Sequence, residues 1–242
     1  MLEAGLWGLA AASTLVAGAL IGLWLRIPRR VVALVLAFGV GALISAVAFD
    51  LTEEAFRVGG TLSVAVGLGA GALTYYAGDR WLARAGGARR GGRMKQVENS
   101  GLAIVLGALL DGIPESIVLG STLLGGAAVS LPFLFAVAVS NVPEGLTAAV
   151  DLRREGHRPG WIIGLWAVVG LVSAAAAAIG FGALGEMGSS VWVPLIQAFA
   201  AGAILTMLVD TMIPEAFGEG GELVGLATVL GFATAFFLTR VS

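Results

Sequence analysis

The sequence predicts an all-α polytopic membrane protein, and three observations carry that prediction. Hydrophobic residues make up 58% of the chain and charged residues only 12%, against roughly 25% charged in an ordinary soluble domain. The mean hydropathy is +0.95. The apolar runs fill nearly all of the 242 residues and are continuous, without the alternation of a β-barrel. The 37 glycines point the same way, because small residues let membrane helices approach closely.

A span needs roughly 20 apolar residues. The runs divide into eight, over about 5–25, 31–56, 60–82, 100–124, 130–151, 160–184, 190–216 and 222–240. The first follows Met1-Leu2-Glu3 with no basic leader, so it is expected to be a retained span rather than a cleaved signal. The second and third are divided only by Arg57-Val58-Gly59-Gly60. The third is followed by a loop at 83–98 with two Gly-Gly pairs among five basic residues, which reads as a mobile cytoplasmic linker. Spans four and five are joined by the short Gly125–Ser130 connection, so they are antiparallel neighbours. The sixth follows Arg153, Arg154 and Arg158, and the seventh ends where Glu215, Glu219 and Glu222 crowd together before the eighth. The whole of 1–242 reads as one transmembrane domain.

Positive charge fixes the orientation. With eight spans and both termini outside, 12 of the 14 Lys and Arg fall in cytoplasmic segments, and only Arg57 and Arg240 lie on the other side. This is the asymmetry of the positive-inside rule, and one span more or fewer would destroy it. A short repeat supports the same layout. Glu54-Ala55-Phe56 ends span two and Glu215-Ala216-Phe217 ends span seven. Those spans run in opposite directions, as in an inverted repeat of spans 1–3 and 6–8 around a central pair, 4 and 5.

Three Pro-Glu pairs sit inside apolar runs: Pro114-Glu115, Pro143-Glu144 and Pro214-Glu215. A carboxylate in hydrocarbon is costly, and a proline there removes a backbone hydrogen bond that lipid cannot replace. Glu115 and Glu144 lie on adjacent helices, roughly 15 Å and 21 Å below the outer surface at 1.5 Å per residue, near the middle of a core about 30 Å thick. Asp111 precedes Glu115 by one turn, and Ser140 and Asn141 precede Glu144 by one turn, so each set projects from one side of its helix. Asp111, Glu115, Ser140, Asn141 and Glu144 form a candidate oxygen-only cation site. The chain has no cysteine and one histidine, which excludes a thiolate site, a disulfide and a Cys/His zinc cluster. Carboxylates this close cannot all stay ionised without a cation or a proton, so metal entry and proton release are expected to be linked.

These residues resemble the ZIP (Zrt/Irt-like protein) family of divalent metal transporters. The resemblance rests on the paired motifs Asp111-Gly112-Ile113-Pro114-Glu115-Ser116 and Ser140-Asn141-Val142-Pro143-Glu144-Gly145, and on Asp210-Thr211-Met212-Ile213-Pro214-Glu215-Ala216. It implies a mononuclear or binuclear metal site between spans four and five, served by alternating access. The family's span-four histidine is Asp111 here, the following Asn is Gly112, the span-five histidine is Ser140, and the span-seven glutamate is Thr211. An all-oxygen set suits harder ions such as manganese, magnesium or calcium, while zinc also accepts carboxylates.

The expected function is therefore secondary transport of a divalent cation, with the metal as cargo and no resident cofactor, by a bacterial inner-membrane protein. No enzyme activity and no nucleic-acid partner are expected. The alternatives are a ZIP-like protein with a proton-coupled or non-metal substrate, an intramembrane hydrolase with Glu115 and Glu144 sharing a proton, and a metal-regulated scaffold. The glycines leave a helix-packing homodimer open, though no single motif marks one. His157 reads as a solvated loop residue, and Asp50, Glu53, Glu54 and Glu186 as an outer acidic rim that serves either as a vestibule or as interfacial caps.

Overall fold

The computed structural model describes residues 1–84, 100–124, 128–187 and 192–241. Their regular structure is entirely helical: α1 (Leu2–Trp24), α2 (Arg29–Ala46), α3 (Glu53–Arg84), α4 (Ser100–Ser121), α5 (Leu131–Arg154), α6 (Pro159–Met187), α7 (Trp192–Met207), α8 (Ile213–Gly220) and α9 (Val224–Val241). Two π-helical segments, Val47–Thr52 and Leu208–Met212, join α2 to α3 and α7 to α8. From residue 85 onward the expected linker at 83–98 lies outside the described residues, as does part of the Gly125–Ser130 connection.

Among the described residues five helices are long and apolar enough to cross a membrane: Leu2–Trp24, Arg29–Trp81, Leu131–Arg154, Pro159–Glu186 and Trp192–Val241. Two of these, of 53 and 50 residues, would be about 75–80 Å long if straight, far more than a bilayer core of about 30 Å. Each is broken at a glycine with positive φ, Gly60 (φ 68°) and Gly221 (φ 67°). Other residues rarely adopt that conformation. The expected division at Gly60 is observed, while the second break falls a few residues beyond the expected end of span seven.

The distribution of residue sizes is that of a protein solvated by lipid. Its buried positions are rich in alanine, including Ala19, Ala37, Ala46, Ala149, Ala177 and Ala201. Large apolar side chains such as Leu62, Leu73, Leu171, Ile179, Leu226 and Phe237 are exposed. In water such a surface would drive aggregation. In a bilayer it faces solvent of its own kind, and small residues are left to make the helix contacts.

Cross-helix neighbours fix the relative directions. Phe38, Gly41 and Phe49 of the α2 arm meet Gly231, Thr228 and Phe236 of α9, and Gly59, Gly67 and Gly71 of α3 meet Pro194, Ala198 and Phe199 of α7, so both pairs are parallel. Ala33 lies beside Gly220, and Ala37 and Val40 share a groove with Ile213 and Ala216, so α2 and α8 are antiparallel. It follows that the chain reverses at Gly60 and at Gly221. The helices form two sets. One contains α1, α4, α5 and α6; the other contains α2, α3, α7, α8 and α9, with α2 against α5 and α4 against α7 at the boundary.

The contacts repeat with fixed offsets. A methyl group at Gly41 would strike the carbonyl of Thr228, and one at Gly202, 161 residues on, would strike that of Leu68, 160 residues before Thr228. Gly71 against Phe199 and Gly231 against Phe38 obey the same two offsets. In the other set Gly145 meets Leu15 and Gly120 meets Ala177, while Gly18 meets Val142 and Gly180 meets Ile117. These contacts interconvert by 162 residues between α1 and α6 and by 25 between α4 and α5. The π segments and the positive-φ glycines stand 161 residues apart as well.

Gly41→Ala is expected to lower the melting temperature in detergent, because the added carbon meets backbone that cannot move aside; overpacking of this kind costs about 1–3 kcal/mol. Gly69→Ala, where nothing lies within 4 Å, is expected to leave stability unchanged or raise it by up to about 1 kcal/mol through helix propensity. Equal shifts in thermal unfolding of the two variants would contradict the close-contact account.

Candidate functional site

The site is built on α4 and α5. Ser130 caps α5 by accepting from the Phe133 amide at 3.2 Å, with Pro132 in the first turn where its missing N–H costs nothing. Pro114 and Pro143 lie within continuous helices, and the pronounced departures from α geometry are the two π segments and the two glycine breaks. Pro214 sits in the first turn of α8, directly after a π segment.

Asp111, Glu115, Ser140 and Asn141 are all buried, with 8%, 4%, 2% and 6% exposure, and Glu144 is half-buried. Glu115 lies within electrostatic reach of both Glu144 and Asp111, so the three expected carboxylates are neighbours. The neutral members are engaged with backbone. Asn141 donates through Nδ2 to the carbonyl of Ala11 at 3.2 Å, and Ser140 donates to the carbonyl of Val137 at 3.0 Å. Gly39 of α2 passes so close to Ser140 that an added methyl carbon would lie 2.9 Å from its Cα. Among the described residues no three His, Asp or Glu side chains converge tightly enough to hold a metal ion by themselves. A cation here would need neutral oxygens in its shell as well as carboxylates, which is chemistry for a hard ion.

Sequence reasoning missed one buried participant. Tyr75 of α3 is 4% exposed, and its hydroxyl donates to Asp111 Oδ1 at 2.9 Å. Thr211 lies within hydrogen-bonding reach of the same hydroxyl. No motif flags a tyrosine on a helix that is otherwise apolar around it, although Asp79 one turn further on was a local hint of polarity.

The other expected polar residues are placed as follows. Asp50 accepts from Ser130 Oγ at 2.8 Å and is within hydrogen-bonding reach of Thr239, which ties the α2 arm to α5 and α9. Glu54 is held by Arg57 at 2.7 Å, so two of the rim carboxylates are engaged in local contacts. Glu186 lies in the last turn of α6 rather than in a loop and is exposed. Asp210 is exposed on its π segment and Glu215 is half-buried. His157 stacks on Trp161 with ring centroids 4.3 Å apart, as a loop residue would. Trp24, Trp81, Trp161 and Trp192 are exposed near helix ends, as an aromatic belt requires.

Comparison with known proteins adds one relative. Over 189 residues, 76% of the chain, the sequence is 26% identical to an Arabidopsis thaliana protein described as a putative zinc transporter. The aligned region is 30% of that relative's length. No family profile matches the chain.

Because Ser130 both caps α5 and holds Asp50, Ser130→Ala is expected to destabilise the protein by about 1–2 kcal/mol. Asp50→Asn, which keeps an acceptor oxygen, is expected to cost less. Thermal unfolding in detergent gives the order, and a larger shift for Asp50→Asn would show that charge rather than capping governs this contact.

Proposed function

We propose that this chain is a ZIP-like secondary transporter of divalent metal cations, with eight spans, both termini outside and an inverted repeat of spans 1–3 and 6–8, in a bacterial inner membrane. The observation that carries the reading is the group of three neighbouring carboxylates, Asp111, Glu115 and Glu144, within an apolar helical bundle. An ionised carboxylate without compensation does not persist in such a place. A divalent cation neutralises two of the three and draws on Asn141, Ser140 or helix carbonyls for its remaining ligands. The distant zinc-transporter relative supports the same substrate class, and the oxygen-only donor set favours manganese or iron over zinc.

The cation enters from outside, binds between α4 and α5 and leaves to the cytoplasm as the two helix sets move relative to one another. The membrane potential supplies about 2.3 kcal/mol per charge per 100 mV, so no nucleotide is required and the chain is not an enzyme.

The test is uptake of zinc, manganese, iron and cadmium into proteoliposomes by the native protein and by Glu115→Ala plus Glu144→Ala. Uptake is expected to be saturable and to fall to the level of empty vesicles in the double variant. Absence of any metal flux from folded native protein would refute the reading. A proton flux detected alone in the same vesicles would move the assignment to a proton-coupled, non-metal solute.

A further inference from the structure

We infer that Tyr75 is a positioning residue of the cation site, whose hydroxyl aims the Asp111 carboxylate across the boundary between the two helix sets. The inference rests on the cation-transport reading and deepens it, because it assigns control of the site to a residue outside α4 and α5.

The geometry is specific. Tyr75 is on α3, Asp111 on α4 and Thr211 on the π segment after α7. The 2.9 Å bond from Tyr75 to Asp111 Oδ1 is formed in a buried environment, where a phenol and a carboxylate both need a partner. A neutral donor suits the task. Lysine or arginine at this place would cancel the charge of Asp111 and compete with a cation, whereas a hydroxyl orients one oxygen and leaves the negative charge in the site.

Thr211 is the polar neighbour of that hydroxyl. Thr211 donates to the carbonyl of Met207 at 2.6 Å, so its oxygen is held one turn away along a segment whose widened geometry is itself unusual. Tyr75 therefore joins α4 of one helix set to α3 of the other. A second side-chain bond across this boundary runs from Ser130 to Asp50, near the N-terminus of α5.

The experiment compares native protein, Tyr75→Phe, Thr211→Val and Tyr76→Phe in manganese uptake by proteoliposomes. Manganese binding to each detergent-solubilised protein is measured alongside. Tyr75→Phe keeps the ring that fills the buried space and removes only the donor. Its apparent KM is expected to rise about tenfold, the lower end of what loss of an outer partner to a metal ligand brings, with Vmax and folded yield close to native. Thr211→Val is expected to shift KM the same way by less. Tyr76→Phe, at a neighbouring exposed position, is expected to match native protein. A native KM in Tyr75→Phe, or a loss of yield and Vmax at constant KM, would overturn the positioning role. If native protein takes up metal and the Glu115→Ala plus Glu144→Ala variant does not, that failure belongs to this inference alone. If native protein neither transports nor binds manganese, the transport reading fails and this one with it.

Discussion

Backbone against backbone is the contact on which the structure depends. Lipid offers helices no hydrophobic reason to associate, so stability has to come from close van der Waals approach. At each reciprocal crossing a glycine of one helix faces the backbone of its partner, and the partner returns a glycine a few residues away. Gly41 with Gly231, Gly71 with Gly202, Gly18 with Gly145 and Gly120 with Gly180 bracket the four parallel crossings. Because these positions recur at nearly constant offsets, one packing solution is used twice. The two helix sets are thereby built before any polar residue is considered, and the carboxylates occupy what the glycines leave between them.

The carboxylates do not follow the symmetry of that packing. The contacts relate α4 to α5 by 25 residues, which pairs Glu115 with Ser140. The Pro-Glu motifs are related by 29 residues, one helical turn more. Glu144 consequently lies a turn of about 5–6 Å away from the symmetric mate of Glu115, and the position equivalent to Glu144 in α4 is Leu119. With the one-turn slip, Glu115 lies within electrostatic reach of both Asp111 on its own helix and Glu144 on the other.

The sequence was informative where the physics is local and periodic. Apolar length marks helices, Gly59-Gly60 marks a reversal, and the spacing of Asp111 from Glu115 puts both on one helical face. The Glu-Ala-Phe repeat, three residues long, is now accompanied by the 161-residue offset of the π segments, the positive-φ glycines and the Gly41 and Gly202 contacts. What could not be read is tertiary. That Asn141 spends its amide on Ala11, or that Tyr75 reaches Asp111, depends on which helices are neighbours, and a side chain one turn out of register would meet a different partner. Pro114 and Pro143 lie within continuous helices, and the π segments carry no composition signal.

Polar groups at the boundary between the sets also distinguish the two ends of the bundle. Asp50 on one π segment holds Ser130, while the residue 161 positions later is Thr211, which lies beside Tyr75. A carboxylate with a hydroxyl partner thus stands where its counterpart is a hydroxyl beside the one that donates to Asp111. Hydrogen bonds of this strength, about 1 kcal/mol net each, hold a boundary without welding it. The reciprocal glycine crossings lie within the sets and resist change because backbone cannot yield, while at the boundary Gly39 approaches Ser140 without a returning glycine. The bonds between the sets are single and side-chain based. The packing thus differs in kind: reciprocal backbone crossings hold each set together, and side-chain contacts such as that of Tyr75 with Asp111 meet at their boundary.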